Sequence, residues 1–264
     1  VIKPNTKEFV NLRKRLNYHY RYFDREKISP DPLEFPHNYS EGLDVEISAF
    51  VSALFAYGNI KQIISTLNKI HAQFIGSPFD FVINFNSLKN SFIPPPHRFY
   101  TAKDVISLFE ILNFVYSEYG SLKKLFLLYY FPVAPNLRDS IEFFTLNLKN
   151  IANKLGVFTE GVKFMFPSPS GGSACKRINL FLRWMVRKDE LDFGCWSEIS
   201  KSQLIIPVDT HIARISFNLG LTVRKNIGWK MAEEITENLK LFDSKDPVKY
   251  DFALCHIGAR KMEF

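Results

Sequence analysis

Cysteine is scarce in this chain of 264 residues: Cys175, Cys195 and Cys255 lie far apart and form no C-x-x-C pair. That spacing excludes a disulfide framework and the usual zinc and iron–sulfur patterns, so no metal or other cofactor is expected, and the thiols fit a reducing cytoplasm. No apolar run reaches the roughly 18 to 20 residues that a membrane span needs. The first residues lack the basic, apolar and small-residue order of a secretory signal. A soluble, cytoplasmic protein with no membrane partner is the expectation. Clean period-two alternation is also missing, as are internal repeats and low-complexity tracts, which argues against a β architecture or a solenoid.

What the chain does have is apolar content, 46% by count, enough for a sizeable core. It also has an excess of positive charge, formally +7. A basic balance favours a polyanionic partner, because each neutralised phosphate releases condensed counterions, although solvated surface lysines produce the same balance.

Apolar residues recur at helical spacing through most of the sequence, so the fold class is all-α. A first helix is expected over about Lys7 to Arg25, followed by a proline-bearing connection, SPDPLEFPHNYSEG, and a boundary near Asp44. Ile47, Phe50, Val51 and Leu54 mark one helical face up to Gly58, and Asn59 stands where it can cap a second helix carrying Ile60, Ile63, Ile64, Leu67 and Ile70. The prolines of FIPPPHRFY exclude a helix there, and Thr101 can cap the next one, over about Ala102 to Glu118. Further helices are expected in SLKKLFLLYYF, from Asn136 to Leu155, and from about Cys175 to Lys188. Near the end, Asp209 can cap a helix that Gly220 terminates. A helix bearing Met231, Ile235, Leu239 and Phe242 comes next, and a last one opens at Asp246 with Pro247 in its first position.

Two segments could carry chemistry, GGSACKRINLFLRWMVRK and IIPVDTHIARISFNLGL. Lys176 falls in the first turn of a helix directly after a glycine-rich turn, where free backbone N–H groups form a natural phosphate site. The helix end and neighbouring Arg177 both disfavour an ammonium, so a buried Lys176 is expected to have a lowered pKa and to offer an amine nucleophile. The plain alternative is that Lys176, Arg183 and Arg187, which share a face at i, i+7 and i+11, form a solvated basic stripe. Asp209 has its own plain reading as an ordinary N-cap contributing about 1 kcal/mol. Capping and catalysis are compatible, because a carboxylate held by backbone donors stays ionised and can stabilise a cationic sugar.

PVDTHIARI followed by LGL resembles the helix-hairpin-helix glycosylase superfamily, HhH-GPD, in which a V-D-T-H-type sequence holds the catalytic aspartate. FVSALFAYGNIKQIISTL is similar to the superfamily's early helix pair, and GGSACKRINLFL occupies the place of its hairpin and following helix. On that resemblance Asp209 is the catalytic aspartate and Lys176 the nucleophilic lysine of the bifunctional members. The stretch from SACKRINLFLRWMVRKDELDFG to DPVKYDFAL is similar to a poorly characterised bacterial branch of the superfamily, described as a domain of unknown function. The long interval from lysine to aspartate is similar to archaeal 8-oxoguanine glycosylases. The sequence departs from the superfamily in two places: the usual Leu-Pro-Gly-x-Gly hairpin is replaced by SPSGGSA, and the cysteine quartet of endonuclease III is absent.

The resemblance implies a two-lobed helical fold with a DNA-binding cleft between the lobes, residues 1–44 and 205–264 forming the terminal lobe with Asp209 and residues 45–204 the central bundle with Lys176. It implies a monomeric DNA N-glycosylase and AP lyase acting on an oxidised purine, 8-oxoguanine, in double-stranded DNA. Gly171, Gly172, Ser173, Arg177, Tyr57, Asn59 and His211 are the expected DNA contacts, with Tyr57 filling the gap left by the extruded base. Arg98, Phe99 and Trp196 are candidates for the base pocket, Trp196 by stacking on a base, while Trp184 at helical spacing reads as core. Three other readings remain: a glycosylase that uses water activated by Asp209, a DNA-binding module without catalysis, and a helical protein–protein adaptor.

Overall fold

The computed structural model describes residues 3, 4 and 6–260. Helices dominate, and the residues at their ends explain most of the boundaries. α1 (Lys7–Tyr22) starts where the Thr6 hydroxyl accepts the Phe9 N–H at 3.2 Å, and it buries Phe9, Leu12 and Leu16 on one side. It stops three residues before the expected end, because Phe23 and Asp24 turn extended ahead of a short 3-10 turn, Arg25–Lys27.

α2 (Gly42–Phe55) is buried at every position from Asp44 onward, not along a single stripe. Its neighbours are α3 (Ile60–His71), capped by Asn59 as expected, and α4 (Pro78–Ile83), capped by the Ser77 hydroxyl. α4 and the single turn α5 (Phe85–Leu88) are too short to show apolar periodicity, although Ser77 followed by proline is a recognisable helix start. α6 (Ala102–Glu118) has the expected limits and a complete capping box between Thr101 and Asp104. α7 (Leu122–Leu127), α8 (Arg138–Lys154) and α9 (Glu160–Met165) follow. In α9 a Cβ on Gly161 would lie 2.1 Å from the Asp104 carboxyl carbon, so only glycine permits that approach.

α10 (Lys176–Val186), α11 (Thr210–Asn218) and α12 (Trp229–Lys240) complete the set with α13 (Asp251–Arg260). Asp209 caps α11 as expected, and Gly220 adopts φ +69° just beyond its end. The last helix differs from expectation: Pro247–Tyr250 form a 3-10 turn, and regular α geometry begins only at Asp251. Among the described residues there is no strand, only two isolated bridges, and no helix is long and apolar enough to cross a membrane.

The chain divides into two compact units. The first comprises residues 1–28, 132–137 and 169–264; the second comprises Ser29–Phe131 and Arg138–Ser168. These limits differ from those expected at three places, the first being residues 132–137, which fall in the first unit and not with the rest of 45–204. Residues 29–44 belong with α2, against which their two 3-10 turns pack, and residues 169–204, with Lys176, share a unit with Asp209. In the first unit α13 is the central element, packed by α1 and α11, and Phe9 stacks on Phe242 at 4.6 Å. The second unit has a phenylalanine core in which the rings of Phe74, Phe81, Phe85, Phe92 and Phe109 meet at 5.1 to 5.9 Å. Burial of such rings is the main stabilising term available to it.

Candidate active site

The approach to α10 is set by the glycine-rich turn. Gly172 at φ +80° closes a turn in which its N–H reaches the Pro169 carbonyl at 2.9 Å. Its own carbonyl accepts the Trp229 N–H at 3.1 Å, which ties the turn to the start of α12. Ser173 then spends its hydroxyl on the Cys175 N–H at 3.1 Å. Cys175, buried, sits in the left-handed region at φ +47°, a conformation that costs a non-glycine residue on the order of 1–2 kcal/mol and marks a position where the surroundings dictate the backbone. That turn delivers Lys176 at the first position of α10.

Asp209 comes from the other direction, at the end of the buried segment 204–208. One of its carboxylate oxygens accepts the N–H groups of His211 and Ile212, both at 2.9 Å. The other lies 3.1 Å from Lys176 Nζ. Capping and pairing are thus divided between the two oxygens, and the side chains keep 29% and 20% of their exposure, so the pair is sheltered but reachable.

The electrostatics reverse one expectation. Burial does disfavour the ammonium of Lys176, but the Asp209 carboxylate, with smaller contributions from Cys255 and Asp251, outweighs it and holds the lysine pKa above its ordinary value. The helix end and Arg177 do not prevail. For Asp209, burial pushes the carboxyl upward while Lys176 and the Ile212 N–H pull harder, leaving it below the usual carboxylate range. The resting site is an ion pair.

A cluster of charges that the sequence did not disclose lies behind it. Arg183, two turns along α10, and Arg187, just past its last residue, are buried, so the solvated basic stripe does not exist. Arg183 reaches Asp192 at 3.1 Å and Asp251 at 2.5 Å. Arg187 holds Asp246 and Asp189, each at 2.8 Å, and also pairs with Asp192. A signal was present: both arginines stand among Phe181, Leu182, Trp184 and Met185, with Asp189 and Asp192 a few residues on. Buried arginines in apolar company require partners.

The remaining candidates divide between the units. Gly171 and Gly172 are exposed, Ser173 is partly so, and His211 and Thr210 are exposed in the first turn of α11. Arg177 is buried and does not add to the exposed basic surface. Trp196 is a correction: it is fully buried with its ring edge-on to Phe181 at 5.1 Å, so it has no face free to stack on a base. Trp184 is fully buried core. In the second unit Tyr57, Arg98 and Phe99 form a surface group. The Tyr57 hydroxyl donates to the His97 carbonyl at 2.9 Å, its ring lies parallel to that of Phe99 at 6.3 Å, and the Arg98 guanidinium stands 5.8 Å over it. Phe99 is 63% exposed, and Arg98 has φ +51°. Asn59 caps α3 through the Lys61 N–H at 2.9 Å.

No curated protein and no solved structure matches this sequence. Residues 31–260 match the family described as "Protein of unknown function (DUF2400)", and the chain belongs to that family.

Proposed function

We propose that the chain is a DNA N-glycosylase with AP lyase activity that excises an oxidised purine, 8-oxoguanine, from double-stranded DNA as a monomer. The observation that carries this reading is the Lys176–Asp209 pair at 3.1 Å, formed by the N-terminal residues of two helices. The V-D-T-H context and its resemblance to HhH-GPD glycosylases supply the substrate class. In the proposed reaction Lys176 first gives up its extra proton, for which Asp209 is the adjacent acceptor. The amine attacks C1′ of the flipped nucleotide, the C1′–N bond breaks, and the base leaves with its electron pair and takes up a proton. The resulting Schiff base permits β-elimination of the 3′ phosphate. The exposed turn at Gly171 offers backbone to phosphate. Tyr57, Arg98 and Phe99 offer aromatic and cationic surface to an unstacked base.

A second reading has its own support. Lys176 is held as an ammonium, so a monofunctional glycosylase in which Asp209 activates water needs no prior loss of that proton.

Lesion-bearing duplexes incubated with wild type and Lys176→Ala under borohydride separate the readings. The lyase reading expects a covalent adduct and strand cleavage with wild type and neither with Lys176→Ala. Base release without an adduct, with the strand cut only after alkali, favours water as the nucleophile. Absence of base release from every oxidised purine overturns both.

A further inference from the structure

Among the described residues of the second unit, the most exposed aromatic side chain is Phe99, at 63%, and it stands on a turn of two residues. His97 and Tyr100 exchange both backbone hydrogen bonds, at 3.0 and 2.8 Å, and Arg98 between them takes φ +51°. Side chains hold that turn from below. The Tyr57 hydroxyl donates to the His97 carbonyl at 2.9 Å, and the Tyr100 hydroxyl donates to the Leu54 carbonyl at 3.1 Å. The His97 ring lies 3.0 Å from the Thr66 hydroxyl and 3.2 Å from the Tyr57 carbonyl. An exposed ring on a turn fixed in this way loses little freedom when it is covered, which is what a recognition surface needs. Arg98 lies beside it. Its stem passes over Gly58, where a Cβ would lie 2.7 Å from Arg98 Cδ, and its guanidinium carbon stands 5.8 Å from the Tyr57 ring centre and 5.5 Å from that of Phe99. Among the described residues no carboxylate pairs with it. With a guanidinium already over the rings, the patch repels a cationic ligand and favours a flat one that carries negative charge. A nucleotide has both features, a base for the ring and a phosphate for the arginine.

We infer that Phe99 and Arg98 form a binding site for one unpaired nucleotide of undamaged single-stranded DNA, with the base stacked on Phe99 and its phosphate against Arg98. The choice of DNA rests on the reading proposed above. The choice of an unpaired nucleotide rests on the turn itself, because a base inside a duplex has both faces covered by its neighbours. Neither Lys176 nor Asp209 takes part. Stacking tolerates any sequence, since every base has a π face, so no base preference is expected. Tyr57, whose ring lies within 6° of parallel to that of Phe99, and Phe164, edge-on to Phe99 at 5.4 Å, are positioning residues that steady the platform.

The test needs no lesion. A short oligodeoxythymidylate strand carrying one 2-aminopurine is titrated with the full chain, and binding is followed by 2-aminopurine fluorescence, which stacking quenches, and by the anisotropy of an end label. Wild type should bind and quench. Phe99→Ala should lose the quenching and bind about tenfold more weakly, and Phe99→Trp should keep both. Arg98→Gln should make the slope of log affinity against log salt shallower by about 0.7, the share of one phosphate on a single strand, whereas Phe99→Ala should leave that slope unchanged. On an abasic strand of equal charge, wild type and Phe99→Ala should bind alike. Equal affinity and quenching in wild type and Phe99→Ala overturn the inference, and so does a loss of the same size on the abasic strand. Tighter binding of wild type to a proline-rich peptide than to the strand, abolished in Phe99→Ala, overturns it in favour of a protein partner. Quenching that depends on Phe99 in a protein that releases no oxidised base leaves this site standing and removes the glycosylase reading. Base release without single-strand binding does the reverse.

Discussion

The two units bury their carboxylates in different company. In the second unit neutral donors reach them: Glu46 accepts the Tyr116 hydroxyl at 2.7 Å and the Leu122 N–H at 2.8 Å, which places it at the start of α7. Asp104 accepts the Thr101 N–H and the Thr159 hydroxyl. In the first unit Asp192 and Asp251 face buried arginines, and Asp209 faces a lysine. Neutral donors at helix starts close the backbone's own unpaired N–H groups, which is a structural service. Buried ion pairs roughly break even in stability at best. Their concentration on Arg183 and Arg187 therefore has no explanation in stability alone.

The largest expected effects test whether the units depend on different forces. In the second unit Phe109→Ala should cost about 3–5 kcal/mol, since it empties a volume shared by four other rings. In the first, Asp192→Ala should cost a similar ~3–5 kcal/mol for another reason, because it takes a buried carboxylate away from both Arg183 and Arg187. The tryptophans distinguish the two cases. All three, Trp184, Trp196 and Trp229, belong to the first unit. Urea titration read by tryptophan fluorescence should therefore show the Asp192→Ala loss, while the Phe109→Ala loss should appear in far-ultraviolet circular dichroism. Equal sensitivity of the fluorescence transition to both substitutions would break the comparison.

Acid should separate the units next. His71, half-buried in the second unit against Tyr39 and Ser52, has its pKa pushed from 6.5 down to about 3 by loss of solvent around the ring. The unfolded chain takes up a proton below about pH 6.5 that the folded one refuses until about pH 3, so this contribution falls on acidification. At pH 4 the loss is about 3 kcal/mol. Asp251 has the opposite sign. Its folded pKa of about 6 lies above its ordinary 3.8, so between those values the folded state binds the extra proton and acidification favours folding. Thermal unfolding of wild type and His71→Phe at pH 7 and pH 4 checks the first claim. The substitution should remove most of the acid loss in the second unit, and a pH 4 loss undiminished in His71→Phe would contradict it.

Helix positions were legible wherever a cap residue and a long periodic face coincided. Thr101 with Asp104 framed α6, Asn59 framed α3, and Asp209 framed α11. The short helices α4, α5 and α9 escaped because four to six residues cannot show a 3.6-residue period. At the site the sequence offered Lys176 and Asp209 as neighbours and got the sign of the lysine's shift wrong. The error is physical: a helix end carries only a partial charge, whereas a carboxylate at 3.1 Å carries a full one, and that distance is a property of the fold. Arg183, Arg187 and Trp196 were misread for a related reason, since burial of a particular side chain depends on neighbours far along the chain.

The smallest stability effect carries the sharpest functional test. Asp209 has two duties that a single substitution can separate. Asparagine caps a helix about as well as aspartate, so Asp209→Asn should keep the hydrogen bonds to His211 and Ile212 and change stability by under about 1 kcal/mol. It removes the charge opposite Lys176, which frees the lysine's pKa to fall under the burial that now acts with less opposition. If Asp209 were only a cap, DNA binding, base release and borohydride trapping would all survive the change. If it stabilises a cationic sugar, base release should fall by 10²-fold or more, on the scale of lost electrostatic stabilisation in other active sites. Trapping on a preformed abasic duplex should then persist, because the lysine remains and the base is already gone. Loss of base release with retained trapping would assign Asp209 to the glycosylase half of the reaction and Lys176 to the lyase half.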